Sequence, residues 1–334
     1  MEILLSHKSA LEYWRIHGRA HGDSKQRLRR RKAPAETPRL KDVSNLKSLG
    51  LSLPLDVIVS TPATRSRSKK VRPHLFLGML EEGCINKIGD GLYVCSPEFC
   101  FFQMAGELHY YKLIELGFEL CGRYLLLVPG YDYADPEITK RGFRNLEGSL
   151  TSKKRLKAFL ERMAGALGQR PLLRAIRYVA DGSASPVETI LAMFLTLPYK
   201  YGGYGLPLPQ LNPPNDSAQS GKQGSYHRSS NKNRFRSDLT WPGTDILVEY
   251  DSEMFHSGSA ELTKDSMRRN VLTISGKRTI TVTKSHVFSV VEFDTVAKQI
   301  AKGLGKRLRD ERNKEFPKER IVLRTILLER YRGD

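Results

Sequence analysis

Asp238, Glu249 and Asp251 are the residues of this chain best spaced to do chemistry together. They lie on two runs that read as β-strands, Ser237-Asp238-Leu239-Thr240-Trp241 and Asp245-Ile246-Leu247-Val248-Glu249-Tyr250-Asp251, on either side of Pro242-Gly243. With Gly243 and Thr244 as loop residues, antiparallel pairing sets Asp238 opposite Glu249. A turn centred on Pro242 and Gly243 moves the register by two and keeps the same facing. Opposed residues share a face with Cβ atoms roughly 5 Å apart, and Asp251 returns to that face two residues beyond Glu249. Carboxylates gathered in this way repel one another unless they share a cation or a proton. The pattern therefore predicts a divalent-metal site of hard oxygen ligands, with Mg²⁺ or Mn²⁺ as cofactor. The alternative is an edge hairpin whose acids face solvent, and a three-residue loop would send Asp238 and Glu249 to opposite faces. Ile246-Leu247-Val248, apolar on both faces, favours a covered strand and with it the site.

Residues on both sides of the hairpin extend the pattern. His256 follows Asp251 by five positions, and an imidazole that titrates near about 6.5 can move a proton at neutral pH; the other reading is a loop histidine. Residues 262–275 read as a helix carrying Asp265, Arg268 and Arg269, closed by Gly276 and followed by a strand over 279–283. Arg268 and Arg269 are either a phosphate grip or a solvated helix face. Upstream, Ser185-Pro186-Val187-Glu188 opens a helix whose face includes Ile190, Leu191, Phe194 and Leu195. Glu188 is open to two roles: closing a capping box on Ser185, or joining the carboxylates as part of a catalytic set.

In order and spacing, Glu188, Asp238, Glu249 with Asp251, His256, Asp265 with Arg268 or Arg269, and Gly276 resemble the very-short-patch-repair-like branch of the PD-(D/E)XK nuclease superfamily, over about 185–283. Asp251 stands where the wider superfamily has a lysine, as is usual in this branch. Ser252 replaces the family's glycine, and a low-complexity insert over 212–236 separates Glu188 from Asp238. The resemblance implies a restriction-endonuclease-like domain, a central mixed sheet flanked by helices, that hydrolyses nucleic-acid phosphodiesters in defence or repair. In such a site Asp238, Glu249 and Asp251 hold the metal, which acidifies bound water and neutralises charge on the phosphate, and His256 transfers the proton.

Charge points to the same partner. Lysine and arginine number 55 against 36 acidic residues, a net charge of +19, which is the footprint expected for a polyanion partner: nucleic acid, DNA foremost. One basic run spans Lys25 to Lys32 and contains Arg29, Arg30 and Arg31; another holds Arg65, Arg67, Lys69, Lys70 and Arg72. A third set, Lys298, Lys302, Lys306, Arg307 and Arg309, follows helical spacing. The alternative function is a non-catalytic nucleic-acid-binding regulator or antitoxin that uses a nuclease fold as a platform. Sequence identifies no protein partner.

Around these residues the chain reads as α+β. At 40% hydrophobic content it can build more than one core. No apolar run reaches the roughly 20 residues of a membrane span, and the charged N-terminal stretch does not read as a signal peptide. Cys84, Cys95, Cys100 and Cys121 form no Cys-x-x-Cys pair, so neither zinc nor disulfides are expected, in keeping with a reduced cytoplasm. A helix over 9–15, a basic connector over 22–38, strands over 57–61 and 74–77, a strand pair over 85–94 that turns at Gly89-Asp90-Gly91, and a long helix from Ser96-Pro97-Glu98 through Leu120 make up the front. Helices over 153–166 and 171–178 follow. Leu5-Ser6-His7-Lys8-Ser9-Ala10, the strand over 57–61 and Gly91-Leu92-Tyr93-Val94-Cys95-Ser96-Pro97-Glu98 resemble the C-terminal part of AbiEi-type antitoxin and regulator proteins, which implies a bacterial or mobile-element setting. The expected organisation is a front α/β domain over 1–150, a helical linker over 151–184 and a nuclease-like domain over 185–334.

Overall fold

The structure, a computed structural model, describes residues 2–19, 29–38, 46–61, 69–166, 168–213, 237–251, 277–308 and 316–331. It is α+β, as expected, and divides into two units, Met1–Asp181 and Gly182–Asp334.

In the first unit β1 (Ile3–Leu5) leads straight into α1 (His7–His17). The strands β3 (Leu55–Val59), β4 (Val71–Leu75), β6 (Ile85–Gly89) and β7 (Leu92–Cys95) join β1 in a mixed sheet of order β4-β3-β1-β7-β6. Every residue of β3 is buried, because its Leu-Asp-Val-Ile-Val run meets α1 on one face and sheet neighbours on both edges. A two-stranded ribbon of β2 (Arg31–Lys32) and β5 (Met79–Leu80) adjoins.

The helix expected over 96–120 is two. Ser96 Oγ caps α2 (Pro97–Gln103) by accepting from the Phe99 amide at 3.3 Å, a 3₁₀ turn over Met104–Gly106 follows, and α3 (Tyr110–Cys121) starts afresh with His109 Nδ1 accepting from the Tyr111 amide at 3.3 Å. Gly106, the poorest helix former here after proline, sits at the break. α4 (Pro136–Arg141), β8 (Tyr124–Leu126) and β9 (Phe143–Asn145) come next. Two further helices, α5 (Lys153–Arg162) and α6 (Gln169–Ala175), pack on α2 and α3, so residues up to Asp181 belong to the first core. Thr151 Oγ1, buried, donates to Glu98 Oε1 at 2.7 Å and anchors the entry to α5.

Where β1 meets α1 the backbone is strained: His7 has φ +43°, a conformation that non-glycine residues adopt at a cost of about 1–3 kcal/mol. Its ring stacks on His74 at 3.6 Å, and His74 Nε2 lies 2.8 Å from the buried Asp56 Oδ1, with Arg72 3.6 Å from the same oxygen. Burial first, then the charges of His74 and Arg72 against the opposing pull of Asp56, push the His7 pKa down to about 4. Above pH 6.5 both folded and unfolded His7 are neutral and contribute nothing. As pH falls below 6.5 the unfolded chain takes up a proton that the folded one refuses, so stability is lost between about 6.5 and about 4, by roughly 3 kcal/mol in all. His7→Asn tolerates the same backbone and removes this loss. Trp14 lies in the first unit and Trp241, the other tryptophan, in the second. Urea unfolding followed by Trp14 fluorescence in a Trp241→Phe background should therefore show a shallower acid dependence for His7→Asn than for the parent; equal slopes would refute the assignment.

In the second unit α7 (Pro186–Thr196) is the core helix, with Ile190, Leu191, Met193, Phe194 and Leu195 all buried. A second mixed sheet has the order β10 (Gln210–Leu211), β11 (Leu239–Thr240), β12 (Ile246–Asp251), β13 (Arg278–Thr283), with β12 and β13 parallel and the other pairs antiparallel. The β11–β12 connection turns at Pro242 and Gly243, whose φ of +79° needs glycine, and the Thr244 amide closes it on the Trp241 carbonyl at 3.1 Å. Trp241 Nε1 donates to the Pro207 carbonyl at 2.8 Å and pins that end of the hairpin. After β13 come α8 (Lys284–Phe288), α9 (Val290–Gly303) and α10 (Phe316–Leu327). α9 buries Phe293, Val296, Ala297, Ile300 and Ala301, a stripe at helical spacing. A Cβ on its Gly303 would lie 2.2 Å from Ile246 Cδ1, so the end of α9 closes directly onto β12. Lys298 and Lys302 are on the exposed side of α9, but the helix ends at Gly303 and the chain turns at Gly305, φ +63°. Lys306 and Arg307 therefore do not continue one helical face with them, and Arg309 lies outside the described residues.

Candidate acidic site in the C-terminal unit

The pairing of Leu239 with Val248 and of Thr240 with Leu247 sets Asp238 opposite Glu249, the register expected from the turn. On the other side of β11, Gln210 pairs with Thr240 and Leu211 with Leu239, which brings Asn212 opposite Asp238; the Asn212 amide donates to the Asp238 carbonyl at 3.0 Å. Across β12, Glu249 pairs with Thr281 and Asp251 with Thr283. Because side chains alternate along strands, Asp238, Glu249 and Thr281 form one polar row, with Asp251 and Thr283 one step beyond on the same face, and Asn212, just past β10, stands beside Asp238 at the end of that row. Leu211, Leu239, Val248 and Ile280 form the matching row on the other face, and all four are buried.

The Asp238 side chain turns back along the hairpin, where its Oδ2 accepts from the Tyr250 amide at 2.6 Å. This bond to a backbone N–H fixes where the second oxygen of Asp238 sits.

Glu188 reaches the row from α7. Ser185 Oγ accepts from the Glu188 amide at 3.2 Å and donates to Glu188 Oε1 at 3.1 Å, while Oε2 takes the Ala184 amide at 2.8 Å and Asn212 Nδ2 at 2.6 Å. The capping role read from sequence is thus present, with the carboxylate reaching the amide before the N-cap. Burial, and after it the negative charge of Asp238, push the Glu188 carboxyl up to about 7, against the three donors that favour its ionised form. Asn212 links the two acidic residues, its Nδ2 donating to Glu188 and its backbone amide to the Asp238 carbonyl. Glu188 therefore caps its helix and belongs to the acidic group as well.

Asn212 is the residue that sequence reasoning missed. It is buried, has φ +44°, and its amide group bridges the Gly182 carbonyl at 3.3 Å and Glu188. Asparagine is among the few residues that tolerate that backbone, which is its only local signal. The first residue of what read as a low-complexity insert thus links α7 to the acidic strands. The rest of the insert, 214–236, lies outside the described residues, as do His256, Asp265, Arg268, Arg269 and Gly276.

Among the described residues no group of three or more His, Cys, Asp or Glu side chains is close enough to hold a metal ion. The donor chemistry of Asp238 and Glu249 nevertheless suits a hard cation, since Mg²⁺ is commonly held by one or two carboxylates with water and substrate phosphate completing its shell. Of the basic candidates in the first unit, Arg31 pairs with Glu2 and lies 4.9 Å over the Tyr93 ring, and Arg30 pairs with Glu81 at 3.2 Å, so much of their charge is answered locally. Arg29 is exposed. Among the described residues no helix is long and apolar enough to cross a membrane. Comparison with known proteins gave no match: no family model fits the chain, and no curated protein or solved structure is significantly similar to it, so the acidic row has to be interpreted from its own geometry.

Proposed function

We propose that the C-terminal unit is a metal-dependent nuclease that hydrolyses nucleic-acid phosphodiesters. The observation that carries this is the continuous row from Glu188 through Asn212 to Asp238 and Glu249, with Asp251 beside it, at one end of a mixed sheet backed by helices. Asp238 and Glu249 would hold a Mg²⁺ or Mn²⁺ ion, which when bound supplies charge neutralisation and a more acidic water. The chain's own residues do the positioning: the Tyr250 amide orients Asp238, and Asn212 holds Glu188 against the row. The net charge of +19 suits a polyanionic substrate, and the likeness of 185–283 to very-short-patch-repair-like nucleases makes DNA in bacterial defence or repair the first substrate to test. The test is incubation of supercoiled plasmid, single-stranded DNA and RNA with the protein in Mg²⁺, Mn²⁺ or EDTA. Metal-dependent conversion of at least one substrate is expected; no cleavage of any of them in either metal would refute the proposal.

A second reading, a non-catalytic nucleic-acid-binding regulator on the same fold, is favoured by one observation: both Glu188 oxygens already serve protein donors, and the described residues close no three-ligand set. It requires binding in EDTA that survives Asp238→Asn, with no turnover.

A further inference from the structure

The first unit carries a positive ridge that plays no part in the acidic site. α6 and the 3₁₀ turn after it, Ile176–Tyr178, space Arg170, Arg174 and Arg177 at i, i+4 and i+7, so the three share a stripe, and all three are exposed. Leu172, Ala175 and Ile176 on the other side are buried. α5 buries Leu156, Phe159 and Leu160, which turns Lys154 and Lys157 to solvent. The two elements meet where Lys153 Nζ donates to the Arg177 carbonyl at 3.3 Å, which sets the start of α5 beside the 3₁₀ turn. Acidic relief is sparse. Glu161 pairs with Lys157 at 3.7 Å, and Asp181 accepts from the Lys153 amide at 2.7 Å. Lys154, Arg170, Arg174 and Arg177 make no ion pair among the described residues.

We propose that this ridge binds the sugar–phosphate backbone of a nucleic acid. Guanidinium forks match phosphate oxygens bidentately, and three of them in one stripe offer repeated contacts to a repeating polyanion. An anionic membrane surface is a poorer fit: helices that lie on membranes insert an apolar face, and here the apolar residues of α5 and α6 are committed to the core of the unit. The inference goes beyond phosphodiester cleavage and stands whether or not the C-terminal unit is catalytic.

The experiment measures binding of fluorescent duplex DNA and duplex RNA to the full chain in EDTA, where metal-dependent cleavage cannot occur, across a salt titration. Three proteins are compared: the parent, Arg170→Gln/Arg174→Gln/Arg177→Gln, and a control with equal charge loss on exposed positions of the same unit, Lys87→Gln/Lys140→Gln/Arg141→Gln. All substituted side chains are exposed, and circular dichroism checks that the fold is kept. Loss of three phosphate contacts should lower the slope of log K against log salt by about 3 and weaken binding more than tenfold at physiological salt, with little change in the control. Equal effects in both variants, no effect in the ridge variant, or no binding by the parent would overturn the proposal. So would loss of binding to anionic vesicles in the ridge variant while nucleic-acid binding persists. Asp238→Asn, which tests cleavage, should leave binding in EDTA unchanged, so failure of the nuclease reading and failure of the ridge give different results.

Discussion

Replacing Asp238 by Asn, or Glu249 by Gln, is expected to lower metal-dependent cleavage by about 10³-fold or more while the protein stays folded. A metal site contributes several kcal/mol of charge stabilisation to the transition state, and each 1.36 kcal/mol is about tenfold in rate. Both substitutions remove charge at nearly constant shape. Asn at 238 keeps a side-chain oxygen for the Tyr250 amide, so the 2.6 Å bond that holds the hairpin end has a successor. Asp238→Asn also has a readout that needs no activity. It removes the second largest influence that pushes the Glu188 carboxyl up, so Glu188 should ionise at lower pH in the variant. Initial cleavage rates at saturating Mn²⁺, measured beside far-ultraviolet circular dichroism, decide the point. Parental rates in either folded variant would remove the carboxylates from catalysis.

Glu188→Ala is expected to destabilise the second unit by about 4 kcal/mol, and Glu188→Gln by less than about 1 kcal/mol at pH 7. Alanine strands the Ala184 amide and Asn212 Nδ2 in a buried place, and each unmet donor costs about 1–3 kcal/mol. Glutamine can turn its carbonyl oxygen to those two donors and its NH₂ to Ser185 Oγ. The pH dependence separates the two roles of the residue. A carboxyl pushed up from 4.5 to about 7 keeps its proton in the folded state while the unfolded chain has lost it, so parental stability falls as pH rises from about 4.5 to about 7. The fall is roughly 3 kcal/mol, and glutamine, which does not ionise, should not show it. Its sign is opposite to that of His7 over nearly the same range, so the whole chain can look insensitive to pH while each unit is not. Following Trp241 in a Trp14→Phe background isolates the second unit. A Glu188→Gln protein whose stability runs parallel to the parent between pH 5 and 8 would show that the carboxyl is not held protonated.

Local features are legible in the sequence. Proline and glycine at 242 and 243 made the turn, and the two-residue period of strands then put Asp238, Glu249 and Asp251 on one face, the register the structure has. Ser96 and Ser185 marked helix starts because a cap uses neighbours three residues away. Features that need distant parts of the chain to meet are not legible there. The short strand that brings Asn212 beside Asp238 has no strand-like run of its own, and the nearness of Glu188 to Asp238 exists only once that strand pairs. The split of the helix at Met104–Gly106, and the place of α5 and α6 in the first unit, follow from how α2, α3, α5 and α6 pack, because burial against a shared core outweighs local propensity. The same holds for the ridge: Lys153 and Arg177 are 24 positions apart in sequence, and only helix packing brings Lys153 Nζ to the Arg177 carbonyl.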